Sequence, residues 1–327
     1  MHRSDLAFPK TQREFYELFR TDADCIAYMF RIRWTNGFVC PHCRGNKCYE
    51  LEGKHYAVEC TACGKQTSLI AGTVMERTHT PLSVWFLGAF LMATLKPGIS
   101  ALQFQQQAGL RRYETAFQIL HKLRAAMVAP NRSKLSGEVE VDESYIGGHE
   151  IGKPGRGADK KSLVVGAVEV LHGDKRSYSG RIRLALIPTF SFEHLSDFLN
   201  QNVEPGSIVR TDGLTGYNGI EIDGLIHKPF VLKNPENASK IFPHIHRVFG
   251  NLKAWLIGTH HGVSKKHIQA YLNEYVFRFN RRFDPMFSFN TMLGIASGAK
   301  SPTYEKLYHA GSPSGWDHAK PAKVGPG

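Results

Sequence analysis

Gly137-Glu138-Val139-Glu140-Val141-Asp142-Glu143-Ser144-Tyr145-Ile146-Gly147-Gly148 is the stretch on which the reading of this chain turns. It alternates with the period of a strand: Val139, Val141 and Tyr145 fall on one face, Glu138, Glu140 and Asp142 on the other. Three acids on one face repel one another. A strand built only for packing has no reason to carry that cost, and a divalent cation would cancel it. The stretch alone also admits a solvated edge strand whose acids discourage strand-to-strand association. The rest of the chain has to decide between the two.

Downstream, strand patterns continue over residues 162–171 and 181–187, and Ser191 is placed to cap a helix holding Leu195, Phe198 and Leu199. Residues 207–212 form a further strand that ends on Asp212, and helices follow over 237–256 and 264–281. A basic, glycine-rich loop covers 152–161, and a Pro/Gly/Lys-rich tail follows residue 312. Strands first, then a helix, a strand and more helices predict an α/β domain with a mixed sheet. Asp142 and Asp212 each follow a β run, so the two carboxylates are expected side by side at the sheet. Oxygen ligands so arranged suit two divalent ions ~3.5–4 Å apart, the arrangement used for phosphodiester attack.

Upstream, residues 7–33 read as two helices, with Thr11 capping the first and Asp22 or Asp24 the second. Cys40-Pro41-His42-Cys43 and Cys60-Thr61-Ala62-Cys63 are two Cys-x-x-Cys knuckles separated by 16 residues. That spacing predicts a zinc ribbon with four thiolate ligands, Cys40, Cys43, Cys60 and Cys63. Cys48 and His42 have no partner at knuckle spacing, and Cys25 reads as a core thiol. Pro81 is expected to open an apolar helix, and Lys96-Pro97-Gly98 to end it. Ser100-Ala101-Leu102-Gln103 then caps a short helix, Gly109 turns the chain, and Arg111-Arg112 lead into a second helix carrying His121, Lys122 and Arg124. This is the grammar of a helix-turn-helix, with Arg111, Arg112, Lys122 and Arg124 as candidate phosphate contacts. An αα-hairpin without nucleic acid is the plainer alternative. Residues 128–136 read as a linker.

The chain has 327 residues and a net charge of +12, which points to a polyanionic partner, nucleic acid before an anionic membrane surface. No run of 18 apolar residues exists to span a bilayer. The N-terminus shows no apolar signal segment, and six cysteines at these spacings suit metal rather than a disulfide scaffold. A cytoplasmic, nucleoid-associated location is the expectation.

Several motifs carry a family resemblance. They are Trp34-x-x-Gly37-Phe38-x-Cys40-Pro41-x-Cys43, the strand from Val139 to Gly148, Thr211-Asp212-Gly213 and His246 to Lys253. Gly258 to Val263 and Tyr275 to Arg282 belong to the same set. Together they resemble insertion-sequence transposases of the ISXO-like type, over roughly residues 12–290. The resemblance implies a zinc ribbon followed by a ribonuclease-H-like core with a DDE-type triad. It also implies binding to the terminal inverted repeats of a mobile element, with metal-dependent strand cleavage and strand transfer. The boundaries expected are 1–75 for the N-terminal helices and ribbon, 76–130 for the helix-turn-helix-like region, 131–300 for the catalytic domain and 301–327 for a flexible basic tail. Asp142 and Asp212 match the first two acids. The third position departs from the family's usual Glu: His246 lies 34 residues past Asp212, and Lys253 seven further on. His246 is the choice there and Asn251 the reserve.

An imidazole in place of a carboxylate favours Mn²⁺ over Mg²⁺ and predicts a fall in activity in mild acid. Lys253, Arg278, Arg281 and Arg282 are expected on DNA phosphates, while Tyr275, Phe277 and Phe279 pack the core. Strand alternation puts Glu143 on the face opposite Asp142 and leaves Glu138 and Glu140 in supporting or solvated roles. Double-stranded DNA at element ends and target is the expected partner, with at least a dimer assembled on it. The rival readings are a non-catalytic regulator or inactive domesticated relative, and a nuclease without a joining step.

Overall fold

Short polar caps set the N-terminal helices. The computed structural model describes residues 6–51, 56–129, 132–147, 161–213, 215–217, 219, 224–230, 241–298 and 301–302. Thr11 Oγ1 accepts the Glu14 amide at 3.1 Å and opens α1 (Gln12–Leu18). Helix α2 (Asp22–Arg33) is capped by Thr21, not by Asp22 or Asp24. Asp24 answers from the third helical position by accepting the Thr21 amide at 2.8 Å, a reciprocal capping box. Pro81 stands one residue ahead of α3 (Leu82–Thr94), and Ser100 accepts the Gln103 amide at 3.2 Å to open α4 (Ala101–Gln107). Gly109, at φ +63°, supplies the left-handed turn into α5 (Tyr113–Ala125).

By its contacts the chain divides into two units, residues 1–129 with 281–303 and residues 130–280 with 304–327. The first unit contains α1 to α5, a three-stranded antiparallel sheet of β1 (Cys48–Glu50), β2 (Ala57–Cys60) and β3 (Gln66–Ser68), and a late helix, α9 (Pro285–Ala296). Phe289 of α9 sits edge-on to Phe15, Phe19, Phe86 and Phe90 at 5.8–6.1 Å between ring centroids. That aromatic cluster ties the end of the described chain into the N-terminal core.

In the second unit, the described residues form a five-stranded sheet in the order β6-β5-β4-β7-β8. The strands are β4 (Glu138–Gly147), β5 (Lys161–His172), β6 (Ser177–Leu186), β7 (Ile208–Thr211) and β8 (Ile226–Pro229). β4, β5 and β6 are antiparallel neighbours, whereas β7 and β8 run parallel to β4. Val139, Val141, Val165 and Val209 face α6 (Phe192–Asn202) through Leu195, Phe198 and Leu199. On the other face Val164, Val168, Ile182 and Leu184 pack against α7 (Pro243–His260) and α8 (Ile268–Asn280). The result is helix–sheet–helix layering with a mixed sheet, as the pattern predicted, and it is consistent with a ribonuclease-H-like core.

Local bonding explains details the pattern left open. β6 is an edge strand, and α8 covers its open amides: Asn280 Oδ1 accepts from Ile182 and Gln269 Oε1 from Leu186, at 2.7 and 2.8 Å. The end of the expected linker is bonded to the sheet, because Arg181 and Arg183 donate to the carbonyls of Lys134 and Ser133 and the Ser136 amide donates to Glu169. The basic loop at 152–160, the start of the expected helix at 237–240 and the tail from 303 lie outside the described residues. No described helix is long and apolar enough to cross a membrane.

Candidate active site

Parallel pairing of β4 with β7 matches Glu140 to Arg210, so the register carried two residues on brings Asp142 beside Asp212. β7 stops at Thr211 while β4 continues to Gly147, which opens a notch at the carboxyl end of β7, where ligands gather in sheets of this kind. Asp142, Glu143 and Asp212 each offer a carboxylate oxygen here, all within 4.8 Å of one another. An oxygen-only set of like charges suits a hard divalent cation, so the donors fit the metal expected from sequence.

Helix α7 roofs the notch. Its first turn has no capping side chain of its own, since Phe242 precedes Pro243. Glu140, only 1% exposed, supplies the cap from the sheet: its Oε2 accepts the His244 and Ile245 amides at 2.9 and 3.0 Å. Burial raises the Glu140 pKa, and these two amides pull against that rise. Gly166, paired with Asp142 across β4 and β5, lets α7 come close; a Cβ there would stand 2.9 Å from Leu184 and Phe249 side-chain atoms and 3.0 Å from Ile245.

The clamp points His246 at the carboxylates, with Nε2 3.7 Å from Asp142 Oδ2, beyond direct hydrogen-bonding distance. Asn251 lies on the exposed face of α7, about 140° round the helix from His246. Lys253, two turns after His246, shares its face; partial burial and then Lys161 lower its pKa, and the Asp142 charge opposes them.

Burial is the main reason the Asp142 carboxyl is pushed up to about 7; Asp212 and Glu140 add to the rise, and the Glu143 amide and Lys253 oppose it. Burial also lowers His246, with Lys253 assisting. The imidazole therefore stays neutral further into acid than an ordinary one, and the proton that a cation must displace near neutrality is that of Asp142. With the folded pKa raised from 3.8 to about 7, the metal-free fold gains stability as pH falls through 7 and loses it as pH rises. Mn²⁺ affinity should change in the opposite sense, weakening about tenfold per pH unit below 7 as one proton competes. Calorimetric Mn²⁺ titrations between about pH 8 and about pH 6 check this, and a flat profile would refute it.

The four knuckle cysteines form a second cluster, their sulfurs also within 4.8 Å of one another. Cys40 Sγ and Cys63 Sγ are 3.7 Å apart, Cys43 Sγ and Cys60 Sγ 3.6 Å. Sulfurs placed tetrahedrally at 2.3 Å from zinc lie about 3.8 Å apart, so the cage already has the size of the ion. The knuckles turn through Arg44 and Gly64, at φ +61° and +66°, and the Cys43 and His42 amides help to lower the pKa of the Cys40 thiol.

Comparison with known proteins finds a family model over each cluster. A family model described as ISXO2-like transposase domain matches residues 134–280, and one described as transposase zinc-ribbon domain matches residues 20–66. A curated relative is 25% identical over 267 residues, covering 76% of this chain and 87% of its own length; it is described as an uncharacterized protein in transposable element ISH50 of Halobacterium salinarum. Residues 134–280 are an ISXO2-like transposase domain, and residues 20–66 a transposase zinc ribbon. The matched zinc-ribbon span contains all four knuckle cysteines, and the matched transposase domain contains Asp142, Glu143, Asp212, His246 and Lys253.

The transposase's candidate DNA contacts divide by exposure. Arg111 and Arg112 are exposed just ahead of α5, and Arg282 is exposed with its guanidinium 4.5 Å from the Phe283 ring centroid. Arg124 is only 1% exposed and His121 fully buried, so neither presents its side chain at the surface. Lys122 is half-buried with its ammonium 5.9 Å from the Trp85 ring centroid. Arg278 pairs with the buried Glu274 at 3.5 Å and lies over Trp255, and Arg281 is half-buried. Tyr275 and Phe277 are buried, as expected of packing residues.

Sequence reasoning misses two participants, Glu143 and Tyr217, and leaves the role of a third, Glu140, open. Glu143 was assigned to the far face, yet its carboxylate reaches the cluster. Glu140, left between a supporting and a solvated role, takes the supporting one, and Phe242-Pro243 at a helix start with no capping residue is the signal of a cap from elsewhere. Tyr217, fully buried, donates from its hydroxyl to Glu143 Oε2 at 3.0 Å, and nothing in the sequence reading had drawn attention to it.

Proposed function

We propose that this transposase binds the terminal inverted repeats of an insertion sequence and there performs metal-dependent strand cleavage and strand transfer. The observation that carries the reading is the convergence of Asp142 and Asp212 from adjacent strands beneath a helix that brings His246 to 3.7 Å from Asp142. Asp142 and Asp212 hold divalent ions, Mg²⁺ or Mn²⁺, with His246 completing the set from α7. When bound, two such ions supply Lewis-acid activation of the attacking oxygen and charge stabilisation of the leaving one in phosphodiester displacement. Glu140 fixes the helix that carries His246 and Lys253, so both groups meet the DNA already oriented. Lys253 contacts a phosphate beside the scissile bond. Cys40, Cys43, Cys60 and Cys63 hold a structural zinc that shapes the ribbon, and the ribbon together with Arg111 and Arg112 grips the element end. Arg282 adds a further phosphate contact. Two element ends require at least two copies on the DNA, and the reading places the protein with the chromosome.

The test uses full-length, zinc-loaded protein, labelled terminal-repeat DNA and Mn²⁺, comparing wild type with Asp142→Asn. Nicked and joined products from wild type alone support the proposal. Nicking without joined product indicates a nuclease lacking the transfer step. Equal activity in both proteins removes Asp142 from the chemistry and overturns the site, and none in either leaves a DNA-binding regulator as the reading that stands.

A further inference from the structure

Glu143 has no role in the arrangement just proposed, although its carboxylate lies with the other two. Alternation along β4 starts its side chain on the α6 face, since its partner across the sheet is Val165, which packs in that layer. The end of β7 changes what that direction means. β7 stops at Thr211, and the chain leaves through Gly213, at φ +77°, into a short 3₁₀ turn, Thr215–Tyr217. Beyond Asp212 the described residues give β4 no strand neighbour on that side. The long Glu143 side chain can therefore pass round the strand into the notch, and its oxygen comes within 4.8 Å of those of Asp142 and Asp212.

The turn also returns Tyr217 beneath the sheet. Its ring is fully buried, edge-on to Phe190 at 5.7 Å. Gly216 makes the seat possible, because a Cβ there would come within 2.4 Å of the Phe190 ring. From this position the Tyr217 hydroxyl donates to Glu143 Oε2 at 3.0 Å. One carboxylate oxygen is thus occupied by a fixed donor while the group lies against the two aspartates. An outer hydrogen bond that orients a ligating carboxylate is a recurrent device of metal sites.

Charge gives the arrangement a purpose. With His246 as the third group, the site offers two negative charges to two divalent cations, and the missing carboxylate has to be made up elsewhere. We propose that Glu143 supplies it: Asp142, Glu143 and Asp212 form the carboxylate set that binds the divalent metal, and Tyr217 is the positioning residue for Glu143. His246 then adds a nitrogen on the Asp142 side. This inference rests on the reading of the notch as a divalent-metal site.

The experiment measures Mn²⁺ binding directly, by calorimetry and by the Mn²⁺-induced rise in melting temperature, on full-length zinc-loaded protein without DNA. Wild type, Asp212→Asn, Glu143→Gln, Glu143→Asp and Tyr217→Phe are compared. Asp212→Asn should lose the Mn²⁺ response, and Glu143→Gln should bind on the order of tenfold more weakly or worse, with Tyr217→Phe weakened by about tenfold as an outer-partner change. Should Glu143→Gln fail to fold, Glu143→Asp, which withdraws the carboxylate by one methylene, must show the loss. Wild-type affinity in a folded Glu143 variant, with the response gone from Asp212→Asn, overturns the role of Glu143 and leaves the metal-site reading standing. Unchanged binding in Asp212→Asn as well, or no binding by wild type, overturns both.

Discussion

Asp212→Asn should lower cleavage of element-end DNA by about a thousandfold or more, with the protein without added Mg²⁺ or Mn²⁺ at least as stable as wild type. A metal ion contributes several kcal/mol of charge stabilisation to phosphodiester attack, and about 4 kcal/mol converts to roughly a thousandfold in rate. Asparagine keeps the shape and the carbonyl oxygen of Asp212 but removes the charge that holds the cation. The same change relieves repulsion within the Asp142–Glu143–Asp212 cluster, where Asp212 is one of the groups raising the Asp142 pKa. Like charges facing each other across strands cost on the order of 0.2–1 kcal/mol. A gain of that size raises the melting temperature by up to about 4 °C in a domain of this size. Activity and stability are thus expected to move in opposite directions, the signature of a site held together against its own charge. Labelled-DNA cleavage and calorimetric melting without added Mg²⁺ or Mn²⁺ give the two readings. Retained cleavage would remove Asp212 from the chemistry. Lost cleavage with a collapsed melt would make its role structural.

How far the sequence discloses this site depends on how local each determinant is. Asp142 and Asp212 are legible because Asp142 lies on the acidic face of an alternating strand, Asp212 follows the end of a short one, and parallel pairing in register brings the two together. Alternation fixes where a Cβ points but not how far a glutamate reaches once the neighbouring strand has stopped, and that is why Glu143 was misplaced. Glu140 acts on helix amides 104 and 105 residues away, so no local pattern reveals its partner. β8 (Ile226–Pro229) passed unnoticed because its four residues include His227, Lys228 and Pro229 and show no apolar alternation. The burial of Arg124 was, by contrast, open to a closer reading. Ala116, Ile119, Leu120, Leu123 and Met127 form one apolar stripe at helical spacing, and position 124 falls within it. Its charge suggested a phosphate contact, while its place in the period pointed to the interior.

Removing zinc should unfold the ribbon and leave the five-stranded sheet intact. The ribbon's buried cluster consists of Phe38, Cys40, Val58 and Cys60, with Phe30, Trp34 and Cys48 packed against it. Two of its four buried members are therefore knuckle cysteines, the proposed zinc ligands. A module with so little apolar area cannot offset the conformational entropy of its own ordering. Zinc binding contributes about 10–16 kcal/mol to small modules of this kind, so its loss converts folded to unfolded rather than merely loosening the structure. The aromatic cluster of Phe15, Phe19, Phe86, Phe90 and Phe289 contains no ligand, and the sheet lies in the other unit. Neither has a direct reason to respond. Chelation at neutral pH in the presence of reductant should release one zinc per chain, open protease sites within residues 34–69 and shift the Trp34 emission. Cleavage within residues 132–213 should stay unchanged. Binding to element-end DNA should fall with the ribbon, whereas Mn²⁺ binding at the carboxylates should survive. An identical protease pattern with and without zinc would show that the cysteine cage does not hold the ribbon together, and loss of Mn²⁺ binding alongside it would show that the two metal sites are coupled.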